Sequence, residues 1–354
     1  MDEMDRSLGT PFHTVEADAS EVLAGLGVPL IVAANDPPWT RLAGRLRGAA
    51  DVASTVPAWD MEVDHLRRVA DGVADALDHD RLHRAVVVGV GGGTALDTAK
   101  FLAWTLGRPL VQVPSITSVD AGFTDAIGVR DCGRVRYIGT VRPEQVVIDL
   151  ALVRSAPAHL NRAGIGDVLS CHTGLYDWEL ASSRGRGHPW DAPLAALGTA
   201  LLDELDAAAA DIGAVTDDGI RFLVDAYRRV GAACAAAGHS RFEEGSEHFF
   251  AYAYEHRTGA HPVHGEIIAF AVCAMAHLQG NDPQRPFDIV RRAGTRAHPH
   301  DLGISHDDFA ATVRALAAYA RAEALDVSFV DDRAISDEQI EAAWSFVSDL
   351  PRMP

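Results

Sequence analysis

The stretch Arg84-Ala-Val-Val-Val-Gly-Val-Gly-Gly-Gly-Thr94 constrains this chain more than any other. An apolar run of strand length, Arg84 to Gly89, enters a turn with glycine at 89, 91, 92 and 93, and Leu96 to Leu106 follows with helical spacing. A strand, a turn nearly free of side chains and a helix start leave N–H groups pointing outward at the positive end of a helix dipole. That is an anion site, suited to a phosphate. The run lacks GxxxxGK[ST], so it is not a P-loop, and Thr94 stands where the third glycine of a Rossmann fingerprint would fall.

The neighbouring sequence places this turn on a parallel sheet. Val28 to Ala34 reads as a buried strand ending at Asn35-Asp36-Pro37-Pro38, and Leu66 to Leu77 as a helix. Pro109 to Pro114 reads as a further strand, ending in the polar turn Ser115 to Asp120. Strands separated by helices predict a Rossmann-like α/β domain covered on both faces, with both turns at its carboxyl edge. Arg134–Tyr137 and Val146–Asp149 are expected to form a further strand pair. Beyond about residue 155 strand signals nearly vanish, and helical runs fill 194–212, 219–237, 246–256, 264–279, 306–326 and 336–349. Residues 188–193 and 281–286 read as loops. The expected organisation is an α/β domain over 1–155 and an all-α domain over 156–354.

Composition fits and narrows the choice. With 354 residues, 48% of them apolar, the chain can bury a large core in two domains. A formal charge of −19 disfavours nucleic acid and anionic membranes as partners. The four cysteines are far apart with no CxxC, as in reduced thiols of a cytoplasmic protein. Met1 to Thr10 is acidic, without the apolar segment of a leader, and no apolar run reaches the length of a membrane span.

Three stretches of the second half carry candidate ligands: Ala163-Gly-Ile-Gly-Asp167, Glu243-Glu-Gly-Ser-Glu-His248, and His261-Pro-Val-His264-Gly-Glu266. Taken singly, Asp167 suits a helix cap, His248 a core position among aromatics, and His264 a helix start. Together, one carboxylate and two imidazoles make a mixed oxygen and nitrogen set suited to Zn²⁺ or Fe²⁺. Three protein ligands leave a position for a substrate hydroxyl or water. Sixteen histidines and no HExxH pair leave other triples open.

These segments resemble a known family. Gly91-Gly-Gly93-x-x-x-Asp97-x-x-Lys100 and Pro114-Ser115-x-x-Ser118-x-Asp120 are similar to the iron-containing alcohol dehydrogenase and dehydroquinate synthase-like superfamily. Ala163-Gly-x-Gly-Asp167, Asp177-Trp178, Gly245-Ser-Glu-His248 and His264-Gly-Glu266 resemble its sn-glycerol-1-phosphate dehydrogenase branch. The matches run in order across residues 85–270.

The resemblance implies a dehydroquinate synthase-like two-domain architecture and a nicotinamide dinucleotide on the first domain. It assigns the pyrophosphate to Gly91, Gly92 and Gly93 with Thr94 and Ala95 beside them. Ser115, Ser118 and Thr124 fall at further cofactor positions, and Asp36 at the ribose, favouring NAD over NADP. Asp120 falls at a substrate position, and Asp167, His248 and His264 match the metal ligands. The branch has a second histidine four residues after the first; here it is Tyr252, which donates a hydrogen bond without a positive charge. The branch's His-Asp-Gly reads Val119-Asp120-Ala121 here, and Glu243-Glu244 replaces a small neutral pair.

The activity implied is metal-dependent NAD(P)-linked oxidoreduction of a small polyol, hydroxyketone or phosphorylated analogue, with Asp120, Asp167 and Tyr252 around the reacting carbon. A homo-oligomer, by default a dimer, is implied as well. The alternatives are a sugar-phosphate cyclase of the dehydroquinate synthase type, using NAD transiently, and a cofactor-binding protein without catalysis.

Overall fold

Runs of β-branched residues become parallel strands in the first half of the chain. The computed structural model describes residues 12–353, so Met1 to Thr10, read above as lacking a leader, lies outside the described residues. In chain order the elements are β1 (Thr14–Glu16), α1 (Ala19–Gly25), β2 (Leu30–Ala34), α2 (Pro38–Leu46), β3 (Val52–Pro57), α3 (Val63–Ala76), α4 (His79–Arg84) and β4 (Val86–Gly91). Then come α5 (Gly93–Leu106), β5 (Leu110–Pro114), β6 (Ala126–Asp131), β7 (Arg134–Thr140), β8 (Gln145–Ile148) and α6 (Leu150–Arg154). Six strands form one parallel sheet in the order β1-β8-β5-β4-β2-β3.

Side-chain alternation divides this sheet between two cores. Ile31, Ala33, Val87 and Leu110 pack with Leu66 of α3 and Ala99, Phe101 and Leu102 of α5. Leu30, Val32, Val88, Val90, Val111 and Val113 point the other way, onto Leu23 of α1 and Leu42 of α2. Because both faces are covered, β2 and β5 are buried throughout; β2 reads as an unbroken apolar run, and the one polar side chain of β5, Gln112, donates to the Leu96 carbonyl at 3.0 Å.

The expected pairing of 134–137 with 146–149 does not occur. β7 pairs antiparallel with β6 as a separate hairpin. β8 instead lies between β1 and β5. The physical difference is visible in the residues: Val146, Val147 and Ile148 are buried on both faces, whereas β7 is half-exposed. Strands β1 and β3 lacked an apolar run because both are edge strands, and β3 (Val-Ala-Ser-Thr-Val-Pro) leaves all but Val56 at least partly exposed.

The described residues form two compact units, 12–161 and 162–353. After α7 (Ala158–Arg162), the second contains α8 (Ile165–Leu169), α9 (Cys171–Ser183), α10 (Ala192–Ala214), α11 (Asp217–Ala237), α12 (Ser246–Thr258), α13 (His264–Gln279), α14 (Gln284–Ala293), α15 (His306–Ala322) and α16 (Asp337–Ser348). Among the described residues of this unit there is no strand. Part of the expected loop 281–286 is the first turn of α14. Helix α13 is the centre: fourteen of its sixteen residues are buried, so its apolar character runs round the whole helix. Among the described residues no helix is long and apolar enough to cross a membrane.

Candidate functional site

Asp167, His248 and His264 come from three separate helices and converge. One ligand atom from each lies within 4.8 Å of the others. A short backbone approach between α8 and α13 creates the first meeting. A Cβ built on Gly166 would stand 2.5 Å from the carbonyl oxygen of Gly265, so only glycine lets these backbones touch. The residues that follow Gly166 and precede Gly265 are the ligands, and His264 Nε2 lies 3.2 Å from Asp167 Oδ1. Asp167 is the third residue of α8, in its first turn.

His248 enters from α12, and its orientation is fixed by a carboxylate the sequence reading did not assign. His248 Nδ1 bonds to Glu247 Oε1 at 2.9 Å, which leaves Nε2 as the available ligand atom. Glu247 is fully buried and accepts also from the Gly245 N–H at 2.7 Å and from Thr173 Oγ1 at 2.6 Å. Asp177 anchors the start of the same helix, accepting from Ser246 N–H at 2.8 Å and from Phe329 N–H at 2.8 Å. Burial pushes the Asp177 carboxyl up to about 6, with the Glu247 charge adding to the rise. A carboxylate directly before a buried histidine at a glycine-led helix start was the available signal for Glu247.

The electrostatics of the cluster call for a cation. Burial opposes charge on His248, yet the hydrogen bond and charge of Glu247, then the charges of Glu244 and Asp167, outweigh it and push the imidazole up to about 10. A proton or a divalent ion would satisfy the same demand. The donor set, one carboxylate oxygen and two imidazole nitrogens with a bonded partner behind one ring, fits Zn²⁺ or Fe²⁺. Glu266, two residues past His264, is not part of the group; its buried carboxyl is pushed up to about 7, with Arg296 and Asp301 as the charges acting on it. Tyr252 lies one turn beyond His248, with ring centroids 6.0 Å apart, and its hydroxyl donates to Glu244 Oε1 at 2.9 Å.

In the first unit the expected dinucleotide residues gather at the carboxyl edge of β2, β4 and β5, three adjacent strands. Gly91 has φ +151, and a Cβ there would meet Asn35 Oδ1 at 2.5 Å and Ala95 Cβ at 2.8 Å. Helix α5 begins at Gly93 with no side-chain cap, which leaves its first-turn donors, Gly93 and Thr94 among them, for an external anion. The Gly92 N–H instead meets Asn35 Oδ1 at 3.3 Å. The turn 115–120 is held by Asn161, whose Oδ1 accepts from Thr117 N–H at 3.1 Å. Ser115 and Ser118 are both buried there, and Ser115 Oγ has no hydrogen-bond partner.

Other expected residues have local partners. Asp36 is exposed at the end of β2, and its Oδ1 accepts from Thr40 N–H at 3.1 Å and Thr40 Oγ1 at 2.7 Å. Thr124 Oγ1 accepts from the buried Lys100 Nζ at 2.7 Å, and Lys100 also pairs with Asp97 at 3.0 Å. Asp120 is half-buried, just before a 3₁₀ turn, Ala121–Phe123.

The sequence profile described as iron-containing alcohol dehydrogenase matches residues 40–157. The solved structure of a probable glycerol dehydrogenase from Sinorhizobium meliloti superposes with a TM-score of 0.71 at 21% identity, covering 96% of each chain, which shows the shared fold. The chain belongs to the iron-containing alcohol dehydrogenase family.

Within that family its similarity runs to the NAD(P)⁺-linked glycerol-1-phosphate dehydrogenases, and it is a glycerol-1-phosphate dehydrogenase-like member. It is 35% identical to the glycerol-1-phosphate dehydrogenase of Pyrobaculum neutrophilum over 248 residues, covering 68% of this chain and 71% of that one. For the enzyme of Hyperthermus butylicus the figures are 31% over 223 residues, 63% of this chain and 64% of that one, just under two thirds of its length.

Proposed function

We propose that this protein is a metal-dependent, NAD(P)-linked oxidoreductase that interconverts a hydroxyl and a carbonyl on a small polyol, hydroxyketone or phosphorylated analogue. The observation that carries the reading is the convergence of Asp167, His248 and His264 within 4.8 Å on three helices. When bound, a divalent ion supplies Lewis acidity to the substrate oxygen and the nicotinamide ring accepts or returns the two electrons.

The protein's own groups do the rest. Asp167 and His264 are set by the α8–α13 contact, and Glu247 fixes the tautomer and plane of His248. Low exposure of Asp167 and His248 limits water around the ligands. The glycine turn and the start of α5 offer N–H groups to the pyrophosphate, and the Ser115 hydroxyl is a buried donor awaiting a partner. Asp36 presents a carboxylate at the ribose position, which repels a 2′-phosphate and favours NAD. Tyr252 and Glu244 give a proton a hydrogen-bonded exit.

The test is a panel of hydroxyketones, aldehydes and their phosphates with NADH and NADPH, with added Zn²⁺, Fe²⁺ or chelator. Turnover lost with chelator and with Asp167→Ala or His264→Ala supports the reading; full rate in chelator overturns it. The protein is further proposed to act in the cytoplasm as a homo-oligomer, by default a dimer.

A further inference from the structure

We infer that Glu244, held by Tyr252 and Ser240, is a specificity-determining charge that excludes phosphate from the metal cluster and selects uncharged polyols or hydroxyketones. The inference rests on the metal-dependent reading above and deepens it by naming the substrate class.

Both carboxyl oxygens of Glu244 are fixed. Oε1 accepts from the Tyr252 hydroxyl at 2.9 Å and Oε2 from Ser240 Oγ at 2.6 Å. Tyr252 is itself 5% exposed and projects from α12 one turn after His248. Holding a carboxylate with two hydroxyl donors costs side-chain entropy and keeps the negative charge in one place. The peptide before it is fixed as well: a Cβ on Gly174 of α9 would stand 3.1 Å from the Glu244 nitrogen.

That place is beside the cluster: Tyr252, whose hydroxyl holds Glu244, has its ring centroid 6.0 Å from that of His248. Glu247, Glu244 and Asp167 are the charged groups acting most strongly on His248, and all three are carboxylates. A divalent cation would offset two of their three charges, and the nearby buried Arg241 donates to the Glu244 carbonyl oxygen at 2.9 Å. A phosphate dianion on a three-carbon substrate whose oxygen reaches the ion would meet this charge wherever it turns toward α12. Two negative groups in a partly buried setting repel strongly, whereas hydroxyl groups can donate to Glu244. The neighbouring Glu243 has a different partner: its Oε1 accepts from Cys234 Sγ at 3.3 Å.

The experiment is calorimetric titration of the metal-loaded full chain with inorganic phosphate, together with metal content and KM for dihydroxyacetone and its phosphate. Glu244→Gln should tighten phosphate binding at least about tenfold. It should also lower the ratio of KM for the phosphorylated substrate to KM for the plain one by a similar factor. Glu243→Gln, which removes an equal charge next door, should change phosphate binding by less than about twofold. Tyr252→Phe, which frees the carboxylate, should fall between wild type and Glu244→Gln. If wild type retains metal while Glu244→Gln leaves phosphate affinity unchanged, or Glu243→Gln acts equally, the specificity inference fails and the dehydrogenase reading stands. If wild type takes up no metal, both fail.

Discussion

Replacing Glu247 by glutamine separates charge from shape at the metal cluster. Glutamine keeps a carbonyl oxygen where Oε1 now accepts from His248 Nδ1 and the Gly245 N–H, and places its amide toward Thr173 Oγ1. The ring of His248 therefore stays in place, while the charge that makes its ligand nitrogen more electron-rich is gone. Loss of such a supporting carboxylate typically weakens metal binding about 10–100-fold, or about 1–3 kcal/mol. Glu247 is fully buried and its bond to His248 is short, which points to the upper part of that range. Competition against a chromophoric chelator at fixed pH measures the change. A Glu247→Gln protein that binds metal within twofold of wild type would refute the argument that this residue tunes the site.

Three further outcomes are expected. In metal-stripped protein, His248 has a folded pKa of about 10, above its ordinary value, so its contribution to stability is full below about 6.5 and lost as pH rises toward 10. Thermal melts should thus fall across that window for stripped protein and stay flatter when metal replaces the proton. Ser115→Ala removes a hydroxyl with no partner, so urea denaturation should change by no more than about 0.5 kcal/mol while the NADH dissociation constant rises about two- to tenfold. Lys100→Met strands the half-buried Asp97, whose carboxyl is already pushed up by desolvation, and should cost about 1–3 kcal/mol in urea denaturation; a loss under about 0.5 kcal/mol would contradict that.

Much of the architecture was legible because burial leaves a periodic mark. Strands β2 and β4 are apolar on consecutive residues and β5 on all but Gln112, as a doubly covered sheet requires, and helix α13 coincides with the expected run 264–279. Edge strands carry no such mark, so β1 and β3 were silent and β8 was paired with the wrong neighbour. The convergence of Asp167 with His264 depends on backbone contact between Gly166 and Gly265, and Glu247 is held by Thr173, 74 positions away in sequence. Such meetings are products of packing. Spacing suggested which residue types were available, and the family resemblance suggested which three belong together.

The most direct measurement is anomalous diffraction at the zinc and iron edges from crystals of protein purified with its native metal. The account predicts one strong peak per chain within bonding distance of an Asp167 oxygen and a nitrogen from each of His248 and His264. A peak bound elsewhere, or a catalytically competent crystal with no peak at these three residues, would contradict it.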